Sequence, residues 1–201
     1  PLGVRRAPPR SPPDAEGDHM PSPGDSLPKL RQAHVSDHST LVLCVQRWWG
    51  DSRTPEQARE LSRLLPRLFL QFFATTSLVA EDEQGIRAFL VGFHSADDER
   101  SSYIHFVGVD PRLRGRGLAR ELYSAFFRRA AAVGRREVRA ITSPGNTGSL
   151  AFHRAMGFAV EEGDRRIDGL PVHTDYDGPG EDRVCFRKTL VDEPSAPVST
   201  R

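Results

Sequence analysis

The sequence predicts an α/β domain of about seven strands, and three observations carry the reading. Apolar residues recur alternately at helical and at strand period from Leu30 to Thr189. One strand runs straight into a glycine-rich turn and a long amphipathic helix between Val107 and Val133. Finally, 201 residues with 37% hydrophobic and 27% charged side chains suit one globular core.

The elements follow in order. Residues 1–28 hold eight of the sixteen prolines and almost no large apolar side chains, so burial there cannot offset the entropy of ordering them. They are expected to form a disordered tail, in which Met20 is the first methionine. The domain then covers 29–190, and 191–201 is expected to be a flexible C-terminal tail. Leu30 to His34 suits a short strand, and Ser36-Asp37 caps a periodic stretch through Leu41, Val42, Val45 and Trp48 that reads as a helix up to Gly50. Thr54-Pro55 opens a second helix as an N-cap followed by an N1 proline. Its expected buried face is Leu61, Leu64, Leu65 and Leu68, with Pro66 placed to kink or divide it. Ser77 to Glu81, Arg87 to His94 and Tyr103 to Val109 read as antiparallel strands, the first two joined by a turn near Gln84-Gly85. Gly115 to Val133 reads as a helix with Leu118, Leu122, Phe126 and Ala130 on one face and Gly134 just past its end. A strand at Glu137 to Thr142, a helix at Ser149 to Met156, and strands near Ala159 to Glu161 and Arg183 to Thr189 complete the domain.

Charge and cysteine usage narrow the function. Twenty-eight lysines and arginines against 27 aspartates and glutamates leave a net charge of +1, so nothing global calls for nucleic acid or a membrane surface as partner, and any anion site is local. Cys44 and Cys185 lack metal-ligand spacing and cannot make a disulfide framework, so a cytoplasmic protein without a metal is expected.

The local anion site is visible. Val107-Gly108-Val109-Asp110-Pro111 runs into Arg114-Gly115-Arg116-Gly117-Leu118-Ala119-Arg120, a strand, a tight connection and a helix start with two glycines. Glycines let backbone approach a ligand, the first helical amides point outward, and the helix dipole adds about half a positive charge there. Arg112, Arg114, Arg116 and Arg120 add mobile positive charge. A plain glycine turn feeding a helix would share these features. A dinucleotide fingerprint needs a third glycine where Arg120 stands, and a Walker loop needs Gly-Lys-Ser/Thr.

Arg114 to Ala119 resembles the Gln/Arg-x-x-Gly-x-Gly/Ala signature of the GNAT superfamily of N-acetyltransferases. Downstream, Asn146-x-x-Ser149-x-x-Phe152-His153-x-x-x-Gly157-Phe158 resembles that family's second cofactor motif. The resemblance implies the GNAT fold, a mixed twisted sheet with helices on both faces and splayed fourth and fifth strands, Tyr103 to Val109 and Glu137 to Thr142. It implies acetyl-CoA as cofactor, held by Val107, Gly108 and Val109 along its pantetheine arm and by the amides of Arg114 to Ala119, with Arg120, at its pyrophosphate. Asn146, Ser149 and Phe152 would complete the cofactor site, although Ser149 would also serve as a helix cap. The partners expected are acetyl-CoA and an amine acceptor, and a homodimer stays open.

Acetyl transfer to an amine needs a base for the nucleophile and an acid for the leaving thiolate. His153 stands where many members have a tyrosine acid. The fifth-strand glutamate of some members falls at Ile141, so that base is missing; the fourth-strand glutamate of others falls at Tyr103. His105, two residues on and on the same strand face, is the preferred base, with Glu81 and Asp82 in reserve. The acceptor pocket is expected from Trp48-Trp49-Gly50 and Phe69-Leu70-Gln71-Phe72-Phe73 as aromatic walls and His173-Thr174-Asp175-Tyr176-Asp177 as a source of carboxylates. Two other readings remain, a non-catalytic acyl-CoA-binding sensor and a nucleotide-binding regulatory domain. The second lacks advertised base or ribose contacts.

Overall fold

The computed structural model describes residues 27–50 and 52–190. The tails expected at 1–28 and 191–201 fall outside the described residues, apart from Leu27 and Pro28. Seven strands form one mixed sheet in the order β1-β2-β3-β4-β5-β9-β6. β1 (Lys29–Gln32), β2 (Leu78–Asp82), β3 (Gly85–His94) and β4 (Ser101–Val109) make an antiparallel run. β5 (Glu137–Thr142) lies parallel to β4, while β9 (Val184–Thr189) pairs antiparallel with both β5 and β6 (Ala159–Val160). A parallel neighbour needs a crossover, and α4 (Leu118–Ala132) lies in that connection.

The two faces of the sheet carry separate cores, as the alternation along β3 shows. Ala88 and Leu90 join the core under α4, with Leu118, Leu122, Phe126 and Ala130 from the helix itself. Phe89 and Val91 point the other way, into a core with Leu41, Cys44, Val45 and Trp48 from α1 (His38–Trp48). Burial on both faces explains why β3 reads as a continuous apolar run instead of an alternating one. The four-residue spacing of the α4 side chains puts them on one stripe, and burying each such residue contributes roughly 1.5–3 kcal/mol.

The second helix divides as Pro66 requires. α2 (Pro55–Ser62) starts with a reciprocal capping box, Gln57 N–H donating to Thr54 Oγ1 (3.2 Å) and Thr54 N–H to Gln57 Oε1 (3.0 Å). The helix restarts as α3 (Leu68–Phe72). The break resets the helical phase, so Leu65 and Leu70 go inside while Leu64 and Leu68 stay exposed. This corrects the expected continuous face. A two-stranded hairpin, β7 (Arg165–Ile167) with β8 (Leu170–Val172), was not expected. Its turn is Asp168 (φ 48°) and Gly169 (φ 79°), the Asp-Gly pair that favours two consecutive positive φ values. Among the described residues no helix is long and apolar enough to cross a membrane.

Candidate functional site

The sheet forks between β4 and β5. Their pairing covers only Ser101↔Glu137, Ser102↔Val138 and Tyr103↔Arg139. Beyond Tyr103, β4 continues to Val109 against β3, and β5 continues to Thr142 against β9. A bulge accompanies the parting. Val91 is opposite Phe106 but Gly92 is opposite Ile104, so His105 is an extra residue in β4. Such a bulge bends its strand and sharpens the twist. It also shifts the side-chain alternation: Ile104, Val107 and Val109 pack on the α4 side, whereas the Phe106 ring meets Phe89 and Trp49 on the opposite face. The predicted Val107, Gly108 and Val109 thus lie on the stretch of β4 past its pairing with β5. Gly108 has a packing reason as well, because a Cβ there would come within 2.5 Å of Phe89 Cε1.

The end of β4 feeds the glycine turn through Asp110, which is 3% exposed. Its Oδ1 accepts from the Arg112 N–H (3.0 Å), and Arg112 and Arg87 bring their guanidinium groups to Oδ2 at 2.9 and 3.3 Å. Burial alone would raise this carboxyl, but the Arg112 hydrogen bonds and the Arg87 charge hold it below the usual carboxylate range. Arg112 is therefore engaged, which corrects its expected role as mobile charge. Gly115 (φ 77°) and Gly117 (φ 88°) both need left-handed backbone, and a Cβ on either would meet no protein atom within 4 Å. The helix begins at Leu118, later than expected, with Gly117 as a cap that has no side chain. The first ladder bond runs from Glu121 N–H to Gly117 O (3.0 Å), so the amides of Leu118, Ala119 and Arg120 precede the ladder. Arg116 and Arg120 are exposed around this cradle, and Arg114 donates to the Trp48 carbonyl at 3.3 Å. Exposed left-handed glycines beside helix amides that precede the ladder suit an anion such as a pyrophosphate.

α5 (Thr147–Ala155) follows β5. Asn146 Oδ1 accepts from Ser149 N–H (3.0 Å), so the asparagine caps the helix while its residue stays exposed beside the fork-bearing strand. Phe152 sets its ring edge-on to Tyr123, centroids 4.9 Å apart.

The profile of the acetyltransferase (GNAT) family matches residues 43–158, more than half of the chain. The chain belongs to the GNAT acetyltransferase family. It is 39% identical over 71 residues to a mycothiol acetyltransferase from Gordonia bronchialis, covering 34% of this chain and 23% of that protein. An L-2,4-diaminobutyric acid acetyltransferase from Marinococcus halophilus is 28% identical over 89 residues, covering 44% of this chain and 52% of that protein. These matches span less than two thirds of either relative. A GNAT superfamily phosphinothricin acetyltransferase from Sinorhizobium meliloti, solved with acetyl-CoA, has the same fold, with a TM-score of 0.57 at 18% identity over 84% of this chain and 91% of that one.

Within this GNAT domain the two predicted histidines part company. His153 is 5% exposed and sits in the core, its ring parallel to Phe186. Nδ1 lies 2.9 Å from the Ser149 carbonyl, which can only accept, so Nδ1 carries the proton. Nε2 is then the lone-pair nitrogen and accepts from the Tyr123 hydroxyl at 3.1 Å. Burial lowers the pKa of this imidazole and keeps it neutral. Both nitrogens are committed inside the protein, which corrects the expectation that His153 protonates a leaving thiolate. Tyr123 is the partner that sequence reasoning missed, since it looks like any core residue of α4.

His105 presents the opposite arrangement. Its ring stacks on Phe69 (4.1 Å, 17°), and Nε2 donates to the Leu64 carbonyl. The carbonyl again decides the tautomer, leaving the lone pair on Nδ1. Burial depresses this pKa, so the neutral, proton-accepting form dominates down to lower pH than for a free imidazole. Tyr103, the last paired residue of β4, stands at the throat of the fork, and burial raises its phenol well above the ordinary range. It stays protonated. The reserve bases are spent elsewhere: Glu81 pairs with Arg31 at 2.8 Å, and Asp82 with Arg87 at 3.5 Å.

The acceptor side is also rearranged. Trp48 is 7% exposed and stacks on Phe89, a core role that replaces the expected pocket wall. Trp49 stacks on Phe106 next to the bulge, where a wall was expected. Asp175 holds its own loop, Oδ1 accepting from Gly180 N–H at 2.6 Å. Tyr176 is half exposed, edge-on to His173.

Proposed function

We propose that this GNAT chain transfers an acetyl group from acetyl-CoA to a primary amine by direct attack while both are bound. The observation that carries the proposal is that fork and cradle are consecutive. The β4 backbone past Tyr103 leads into the Gly115–Gly117 turn, so one extended ligand with amides along its arm and a pyrophosphate at its end suits both. The names of the mycothiol and diaminobutyric acid acetyltransferases support the same chemistry.

When bound, acetyl-CoA supplies an activated acetyl thioester. The amides of Leu118, Ala119 and Arg120 hold its pyrophosphate, with Arg114, Arg116 and Arg120 adding charge; Val107 to Val109 pair with its arm, and Asn146, Ser149 and Phe152 border it. His105 takes the acceptor's proton on Nδ1, the nitrogen that the Leu64 bond leaves with a lone pair. Tyr103 holds the proton for the departing sulfur, in place of His153. Burial raises both Cys44 and Cys185 and keeps them as thiols, which favours direct attack over an acyl-cysteine.

The test is release of free CoA thiol across a panel of amines. Thiol release that depends on the amine, with no acetylated protein formed, is expected. Binding of acetyl-CoA without amine-dependent release would contradict transfer and leave the sensor reading in its place.

A further inference from the structure

A second bulge lies at the start of β3. Ala80 is opposite Ala88 but Glu81 is opposite Ile86, so Arg87 is an extra residue in that strand. Strict alternation would send Ile86 and Arg87 to opposite faces of the sheet. With the bulge, Ile86 packs against the α1 core, and Arg87 lines the same cavity as Ile86, about 270 Å³ in volume. Arg47 and Trp48 at the end of α1, Gln84 in the β2–β3 turn, and Asp110 and Arg112 in the connection from β4 to α4 also line it. The charges there are unevenly matched. The Arg87 side chain is 8% exposed, yet Nη2 stands 3.3 Å from Asp110 Oδ2 and Nε 3.5 Å from Asp82 Oδ2, beyond the roughly 2.7–2.9 Å of a charge-assisted hydrogen bond. Nη1 donates to Gln84 Oε1 at 2.9 Å, but Nε makes no hydrogen bond. Asp110 is shared with Arg112, at 2.9 Å. Arg47 is exposed and pairs with no carboxylate among the described residues. Three guanidinium groups are thus set against two carboxylates, Asp82 and Asp110.

We propose that this cavity binds a small free oxyanion, a carboxylate or a phosphate, at a site separate from the pyrophosphate cradle. Guanidinium groups carried by three different elements line one space, and their planar forks suit the oxygens of such a group. Size narrows the ligand. The cavity falls below the roughly 300–1,000 Å³ of sites for drug-sized molecules, so the anion is a small one. The two anion sites lie on opposite faces of the sheet: Trp48 and Ile86 belong to the core with α1, whereas Leu118, whose amide is part of the cradle, belongs to the core under α4. Neither Arg47, Arg87 nor Arg112 is needed for acetyl-CoA in the acetyl-transfer reading, so the proposal stands apart from it.

The experiment is an NMR titration of ¹⁵N-labelled protein with inorganic phosphate and with acetate, at constant ionic strength, with and without saturating CoA. At least one of the two anions should give saturating shifts at the Arg87 Nε–H and at the amides of Arg47, Gln84 and Arg112 with CoA present, and the tighter of the two names the headgroup. Arg47→Ala and Arg112→Ala, both at exposed positions, should each weaken that binding by at least about tenfold, the scale of one hydrogen bond to a charged group, while CoA affinity stays as in the wild type. Arg129→Ala, at an exposed position on α4, should leave it unchanged. Absence of saturating shifts around Arg87 with both anions would overturn the proposal. So would equal weakening by Arg129→Ala, which would mean attraction by net charge alone, or shifts confined to the Gly115–Gly117 turn and lost when CoA is added, which would place the anion in the cradle.

Discussion

The ring of His153 lies over that of Phe186, centroids 4.4 Å apart and planes 7° from parallel. With Nδ1 donating to the Ser149 carbonyl and Nε2 accepting from Tyr123, the imidazole is a neutral strut tying α5 to α4 and β9. Its position in the cofactor motif suggested chemistry; its contacts describe packing.

His153→Phe should therefore keep kcat within about twofold of wild type on a verified amine, because no transition-state contact is lost. Stability should fall by about 1–3 kcal/mol, since the buried Tyr123 hydroxyl loses its acceptor. The pH dependence separates this from simple cavity effects. The folded-state pKa of His153 is depressed, so its contribution is fully present above the unfolded value of about 6.5 and is lost as pH falls through the folded value. His94 and His105 are depressed in the same direction, so the wild type should lose stability below that pH and the variant should lose it less steeply. Denaturant melts at several pH values check this. A kcat lowered by about a hundredfold at every pH would return His153 to the reaction.

His105→Ala should lower kcat by about a hundredfold or more, the usual scale for a general base. In the wild type the acidic limb of the kcat profile should lie below the ordinary imidazole value of about 6.5, because burial depresses this group and a base fails only once it is protonated. The limb should vanish in the variant. A limb that persists unchanged in His105→Ala would assign the base elsewhere.

Gly108→Ala tests the packing beneath the fork. The new Cβ would lie 2.5 Å from Phe89 Cε1 and 3.2 Å from Trp48 Cζ3, so both rings must shift, at a cost of about 1–3 kcal/mol. A lower Tm is expected, and Phe89→Leu in the same chain should recover part of it. An unchanged Tm would mean that the two rings yield freely.

Much of this was legible in the chain. α4 was readable from Leu118, Leu122, Phe126 and Ala130, whose spacing alone defines a stripe, and the glycine turn from Gly115 and Gly117, whose positive φ values most other residues adopt only at a cost. The mixed sheet and the splay of its fourth and fifth strands came from the resemblance, since local periods say nothing about where distant strands lie. What stayed hidden depends on contacts between distant residues. The Tyr123–His153 bond joins side chains thirty positions apart, and the tautomer of His105 is set by a carbonyl on another element. The hairpin at Asp168-Gly169 is different: its turn signal is present, but its strands are only three residues long, one mostly arginine and the other centred on Pro171, too short for a period to show. Leu64 and Leu68 were misplaced because a phase carried across Pro66 has no physical basis once the helix is cut.

The central claim is that the turn at Gly115 and Gly117 holds the pyrophosphate of acetyl-CoA, and calorimetric titration of acetyl-CoA into wild type and Gly117→Val tests it most directly. The side chain at residue 117 would enter space that holds no protein atom within 4 Å, and valine is strained at the left-handed φ of 88° there, so the substitution acts both by blocking a close ligand and by disturbing the turn that presents the amides. Wild type should bind acetyl-CoA and neither ATP nor NAD comparably, and the variant, with folding verified by its melting curve, should bind at least about tenfold more weakly. Equal acetyl-CoA affinity in the two folded proteins would contradict the account.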